Sequence, residues 1–170
     1  IGINRDITER IQAEKTSAEQ AQQVRDLLES TAEAIYGLDL EGRCTFANPA
    51  CVEMLGYGAA DELIGRNMHG LIHHHRSDGS AYPADECPIY QAFRGGHGTH
   101  IVDEVFWRAD GSSFPAEYWS HPIRRDGEIC GSVVAFLDIT ERKQAQQEIE
   151  RSRRFLDSLI NASPIIVFVR

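Results

Sequence analysis

The pentapeptide Asp-Ile-Thr-Glu-Arg occurs at residues 6–10 and again at 138–142, an offset of 138 − 6 = 132 residues. The same offset relates Gln12 and Ala13 to Gln144 and Ala145, Leu27 to Leu159, and Ile35 and Tyr36 to Val167 and Phe168. A gapless register of this length marks an internal repeat, so each copy has to fold as one structural unit. The spacing predicts the tail of one module (1–14), one complete module, and the first strand of a third (161–170). Asp6 with Glu9, and Asp138 with Glu141, have capping-box spacing: the aspartate oxygen accepts an orphan amide and the glutamate reaches back. Each pentapeptide is therefore expected to stop a strand and start a helix.

Residues 6–31 contain no Gly or Pro and are rich in Glu, Gln, Ala, Lys and Arg, which predicts a helix whose 15–31 part links two modules. A second helix is expected from about Thr140 to about Asn161, ended by Ser163 and Pro164. Ala145, Ile149, Ser152, Leu156 and Leu159 follow alternating spacings of four and three, and their repeat equivalents are Ala13, Ser17, Gln20, Val24 and Leu27. Both seams are weakly apolar. A marginal two-stranded coiled coil and a helix packed on its own domain both fit them.

Between the helices the pattern is strand-like. Ala34–Leu38 and Cys44–Ala47 flank the turn Asp39-Leu40-Glu41-Gly42. Asn48-Pro49 starts a short helix closed by Gly56, and a polar, glycine-dotted stretch runs on to about Ala84. Another short helix is expected from Ala84 to Phe93. Three longer strands follow: His100–Arg108, Ser113–Ile123 and Glu128–Leu137, turning at Asp110-Gly111 and Asp126-Gly127. In the first of these, alternation puts Ile101, Asp103, Val105 and Trp107 on one face and Val102, Glu104, Phe106 and Arg108 on the other. Two strands, short helices, three strands and a helix make an α+β domain with a five-stranded antiparallel sheet.

A net charge of −9 with no dense Lys/Arg block makes a poor nucleic-acid binder. Cys44, Cys51, Cys87 and Cys130 form no C-x-x-C pair, and a cytoplasmic setting predicts reduced thiols. No apolar run reaches the length of a membrane span, so no membrane insertion is expected of these residues. No signal peptide is visible; the repeat implies that the chain starts inside a longer protein, whose own targeting and anchoring it does not carry.

These residues resemble a PAS domain with its C-terminal PAC segment. The likeness rests on Ile-Tyr-Gly-Leu-Asp-Leu-Glu-Gly (35–42), Phe-Ala-Asn-Pro-Ala (46–50), Leu-Gly-Tyr (55–57), Glu-Leu-Ile-Gly-Arg (62–66) and Arg-Ala-Asp-Gly-Ser (108–112). It ends with Gly-Ser-Val-Val-Ala-Phe-Leu-Asp-Ile-Thr-Glu-Arg (131–142). The resemblance implies a sensor domain over 28–140 and a signalling helix over 141–160. It also implies neighbouring PAS modules in the same chain, an output domain of histidine-kinase or diguanylate-cyclase type, a homodimer, and a possible small-molecule ligand. The short helices would lie on one face of the sheet, with a pocket between.

Which strand phase lines that pocket is open: Trp107, Tyr118, Val133 and Ala135 belong to one, Phe106, Trp119, Val134 and Phe136 to the other. Flavin photochemistry is not expected, because the Asn-Cys-Arg-Phe-Leu-Gln motif of light-sensing relatives is absent and Cys87 sits in Glu-Cys-Pro-Ile. The histidines are unusual. His69 and His73 share a helical face and, with His75 and Cys87, are candidate ligands for a metal or a haem iron. Haem-binding PAS relatives place the proximal histidine on the helix before the third strand, and 84–93 contains none. The other reading of the cluster is a polar loop around Arg76-Ser77-Asp78-Gly79-Ser80. None, metal, haem and flavin remain open as cofactor states.

No G-x-S-x-G, P-loop or H-E-x-x-H motif occurs, so no catalytic residue is assigned. Two functions are carried forward. In one, the domain senses a ligand, redox change or partner and passes the change through Asp138, Thr140 and Glu141 to the 140–160 helix. In the other, it is a ligand-free spacer or dimerisation element between modules. A pocket filled by the domain's own side chains would favour the spacer.

Overall fold

The computed structural model describes residues 2–162. The stop at Ser163 and Pro164 and the strand of a following module lie outside the described residues. Helix α1 (Gly2–Ser30) leads into strands β1 (Ala34–Leu38) and β2 (Cys44–Ala47). The short helices α2 (Pro49–Met54), α3 (Met68–Ile72) and α4 (Pro88–Gly95) come next. Strands β3 (Thr99–Trp107), β4 (Ser113–Arg125) and β5 (Glu128–Asp138) then feed helix α5 (Thr140–Ala162). The strands form one antiparallel sheet in the order β2-β1-β5-β4-β3.

Local chemistry explains the element ends. Asn48 caps α2 by accepting the Cys51 amide, with Pro49 in the first turn where no amide is needed. The same buried side chain accepts from Ile35 N at 2.8 Å and donates to the carbonyls of Leu28 and Glu33, tying α1, β1 and α2 together. Gly42 turns the β1–β2 hairpin at φ 75°, where a Cβ would strike the Tyr90 hydroxyl. Two expectations shift. Helix α4 begins at Pro88 rather than Ala84, because proline is favoured at a first helical position. The polar stretch before it hides α3, whose five residues are too few for a periodic signal.

The largest departure from the sequence reading lies in β3. The β3–β4 register slips between Val102 and Glu104, and Asp103 adopts φ 71°. This β-bulge inserts one unpaired residue and resets the alternation. Ile101 pairs with Tyr118, Glu104 with Ala116 and Phe106 with Phe114, so Ile101, Glu104 and Phe106 share the inner face. Neither of the expected phases is therefore correct as a set. Phe106, Tyr118, Val134 and Phe136 are inward and fully buried, whereas Trp107, Trp119, Val133 and Ala135 are only partly buried on the other phase. The core closes when Cys51, Leu55, Met68, Ile72, Ile89, Tyr90 and Phe93 of the helical side pack on this face.

A left-handed backbone costs an L-residue about 1–2 kcal/mol, and aspartate tolerates it better than β-branched residues do. Asp103→Val is expected to lose about that much stability, while Asp103→Gly should lose only the exposed pair with Lys143, worth less than about 1 kcal/mol. Urea midpoints of the two variants check this; equal losses would argue against the bulge.

At the ends, helical backbone runs through Asp6 from Gly2, so the first pentapeptide does not start its helix. The second copy is held extended up to Asp138 by its pairing with β4, a partner that residues 2–6 lack among the described residues. Helix α5 carries Ile149, Leu156 and Leu159 at 50–69% exposure, so in a single chain its apolar seam is not packed on its own domain. No described helix is long and apolar enough to cross a membrane.

Candidate functional site

Three polar side chains converge in the core between α3, α4 and β3. His69 lies on α3, His73 caps its C-terminus and Cys87 caps the N-terminus of α4. One ligand atom from each of His69, His73 and Cys87 lies within 4.8 Å of the other two. Cys87 Sγ is 3.3 Å from His73 Nδ1. On the far side of the ring, His73 Nε2 stands 2.9 Å from Glu104 Oε2, an ion-pair distance out of line for a good hydrogen bond. The Tyr82 and Tyr118 hydroxyls donate to the two Glu104 oxygens at 2.8 and 2.6 Å. His69 Nε2 pairs with the Tyr82 carbonyl at 2.8 Å, leaving Nδ1 without a partner among the described residues.

The electrostatics follow from the geometry. Burial alone would raise the Cys87 thiol, but the adjacent His69 and His73 rings outweigh it and bring it down to about 6. Burial would likewise depress His73, yet Cys87 and Glu104 on its two sides hold it up at about 9. Burial works against the Glu104 carboxylate as well; His73 and the two tyrosine hydroxyls nonetheless keep it at about 2. Cys87 and His73 thus shift in opposite directions, each favouring the charged form of the other, while Cys51, with no such partner, is pushed well up by burial. Rings seal the cluster: His73 lies edge-on to Tyr82 at 4.8 Å, Phe106 at 5.0 Å and Tyr118 at 5.9 Å.

Little space is left. The cavity lined by Tyr36, Leu38, Met68, His69, His73 and Cys87 measures about 10 Å³, room for one water. A haem or a flavin does not fit there. Cys–His–carboxylate is also the order of a nucleophile, base and orienting group, but Cys87 is 1% exposed and no substrate-sized space adjoins it. A wide cleft of about 1010 Å³ opens instead between α1 and the β2–α2 edge, away from these groups.

The structure therefore brings together three of the four metal candidates. His75 is exposed, its carbonyl accepting the Trp107 indole N–H at 3.0 Å, because the chain turns outward after α3. Glu104 and Tyr82 went unnoticed in the sequence, and Tyr118, a pocket candidate, was not joined to the histidines, since alternation assigned Glu104 and Tyr118 to different faces. The acidic pair Asp103-Glu104 interrupting an apolar strand was the available signal.

The second assembly is the β5–α5 junction. Asp138 Oδ2 accepts from Arg108 Nη2 at 2.7 Å, and Oδ1 accepts from the Thr140 amide at 2.8 Å and hydroxyl at 2.5 Å. Arg108 also donates to the Met54 carbonyl at the end of α2 and covers the Phe114 ring at 4.2 Å. The capping box with Glu141 does not form: α5 begins at Thr140, one residue too late for that spacing, and Glu141 is exposed. Arg142 and Lys143 instead pin the first turn to Glu117 and Asp103 at 2.6 and 2.5 Å.

The sequence model of the PAS fold matches residues 22–139. The chain belongs to this family. It is 26% identical over 153 residues to the probable diguanylate cyclase DgcE of Escherichia coli K12, covering 89% of this chain and 13% of that protein. It is 25% identical over 130 residues to the signal transduction histidine-protein kinase AtoS of the same organism, covering 75% and 20%. The crystal structure of the PAS domain of an HTR-like protein from Haloarcula marismortui superposes with a TM-score of 0.59 at 21% identity, covering 75% of this chain and 98% of that one. The chain thus spans less than a quarter of the curated relatives it matches.

Proposed function

We propose that this signal-sensing input module passes a change in its buried His–Cys–Glu cluster through the Arg108–Asp138 pair to α5, and so to an output domain of kinase or cyclase type. The observation that carries this reading is the double engagement of Asp138: one carboxylate holds both the end of β3 and the first residue of α5. Contacts run from His73 to Phe106, to Phe114, to the guanidinium of Arg108, and on to Asp138. Such a chain transmits only if the input favours one of two arrangements over the other. The sensor relatives, one a kinase and one a cyclase, support an output domain that varies between proteins. The exposed seam of α5 fits a homodimer in which two such helices pair. A cytoplasmic location is in keeping with this reading.

Arg108→Ala and Asp138→Ala are each expected to cost about 1–3 kcal/mol, as for a hydrogen bond to a charged group, and to leave the domain folded. In the full-length parent both should flatten the response of output to input. Normal regulation in the two folded variants would remove the junction from the relay.

The spacer reading keeps one specific observation in its favour. On the His69 and Cys87 side the interior is filled by the domain's own side chains, leaving about 10 Å³, and the space on the Glu104 side is a surface pocket of about 170 Å³. A spacer would show dimerisation in sedimentation at micromolar concentration and no change of output on any substitution within the cluster.

A further inference from the structure

We propose that His69, His73 and Cys87 bind one borderline-soft divalent cation, of the zinc type, inside the sensor core. This deepens the relay reading and rests on it for its consequence, though not for its chemistry.

Buried polar atoms are nearly always paired, and His69 Nδ1 is not. Its residue is nine-tenths buried. His69 is fixed at Nε2 by the Tyr82 carbonyl, while His73 Nε2 faces the Glu104 carboxylate at 2.9 Å without an aligned hydrogen bond. Metal-ligating histidines are oriented in this way: the anchored nitrogen carries the proton and the other presents its lone pair. For His73 that other nitrogen is Nδ1, already facing Cys87 Sγ at 3.3 Å, and it releases its proton to solvent as the ion binds. For His69 it is the orphan Nδ1.

The dimensions suit such an ion. Zinc–nitrogen bonds of about 2.0–2.1 Å and zinc–sulfur bonds of about 2.3 Å place tetrahedral donors roughly 3.3–3.6 Å apart. The Sγ–Nδ1 pair is within that range, and the widest separation, within 4.8 Å, must contract by at most about 1.5 Å. Two imidazoles and a thiolate select zinc or cobalt over magnesium or calcium, which prefer oxygen. One thiolate leaves a divalent ion with one uncompensated positive charge, and Glu104 supplies the balancing carboxylate behind His73. The fourth position falls to a water, for which the adjoining cavity of about 10 Å³ has room.

The test uses the chain without an affinity tag, stripped with a chelator and titrated with Co²⁺. Expected is a thiolate-to-cobalt charge-transfer band that saturates at one equivalent and is erased by Zn²⁺. Cys87→Ser should abolish the band. Glu104→Gln should keep band and stoichiometry while weakening affinity about 10–100-fold, as losses behind a metal-bound histidine do. Joint replacement of the exposed His75, His97 and His100 by Gln should change nothing. Should Cys87→Ser fail to fold by circular dichroism, His69→Gln takes its place, with an expected affinity loss of at least about tenfold. The absence of a saturable band in folded wild-type protein overturns the proposal. A band that persists in folded Cys87→Ser, or one lost with the three surface histidines, overturns it equally. Output regulation in the parent is read separately, so the relay can stand where the metal site fails.

Discussion

Phe106→Ala is expected to lower folding stability by about 3–5 kcal/mol, the upper range for truncation of a buried aromatic. The ring is fully buried. It stacks on Tyr118 at 5.3 Å and meets Phe136, His73 and Phe114 edge-on at 5.2, 5.0 and 6.2 Å. These neighbours come from β4, β5 and the α3 cap, none of which can follow a shrinking side chain without leaving its own contacts. The loss therefore combines the transfer term with a cavity that does not collapse. A domain of this size holds about 5–15 kcal/mol in total, so the variant should sit close to its unfolding threshold. The measurement is the urea midpoint, with an unchanged slope as evidence that the two end states are the same. Trp107→Ala, one residue on and partly buried on the opposite phase, should cost distinctly less. A Phe106→Ala loss below about 1 kcal/mol would contradict its assigned face.

Glu104→Ala should cost about 2–4 kcal/mol in the metal-free protein. Breaking a buried ion pair by removing one partner typically costs about 3–5 kcal/mol, and the 23% exposure of the Glu104 side chain reduces that somewhat. Its removal strands three groups at once: the His73 imidazolium and the hydroxyls of Tyr82 and Tyr118. Tyr118→Phe, which removes one donor and keeps the rest, should cost about 1 kcal/mol. The double variant should lose less than the sum, with an interaction energy of about 0.5–3 kcal/mol. Strict additivity, or a Glu104→Ala loss within about 0.5 kcal/mol, would mean that water already serves these groups.

Much of the fold was legible because its signals are local. The bounds of β1 and β2 follow from short apolar runs around an Asp-Gly-type turn, α2 from Asn48-Pro49, and α5 from a long Gly-free stretch. The sheet follows from three strands joined by Asp-Gly turns. What was not legible depends on a single backbone step. At Asp103 the chain adds one residue to β3, and period-two reasoning beyond that point is wrong for every side chain. Glu104 and Phe106 were consequently placed with Val102, and the cluster lost the carboxylate that organises it. His69 and His73 were found because helical spacing reaches both; Cys87 joined them as a guess from proximity in sequence. His75 was included on the same grounds and failed, since nothing in sequence tells where a helix of five residues ends. The PAS resemblance supplied the order of elements but not the contents of the core.

The bulge in β3 has a mechanical side. Asp103 and Glu104 share a peptide plane, yet one reaches outward to Lys143 in the first turn of α5 and the other inward to His73. The irregular backbone at Asp103 sets which of these two neighbouring carboxylates faces which side of the sheet. The outer side chain holds the first turn of α5 while the inner one holds the core. An exposed pair worth at most about 1 kcal/mol is small beside the fold, but it can shift a balanced two-state equilibrium about fivefold. The spare residue in this strand thus gives the core a second grip on α5, independent of the carboxylate at which the strand ends.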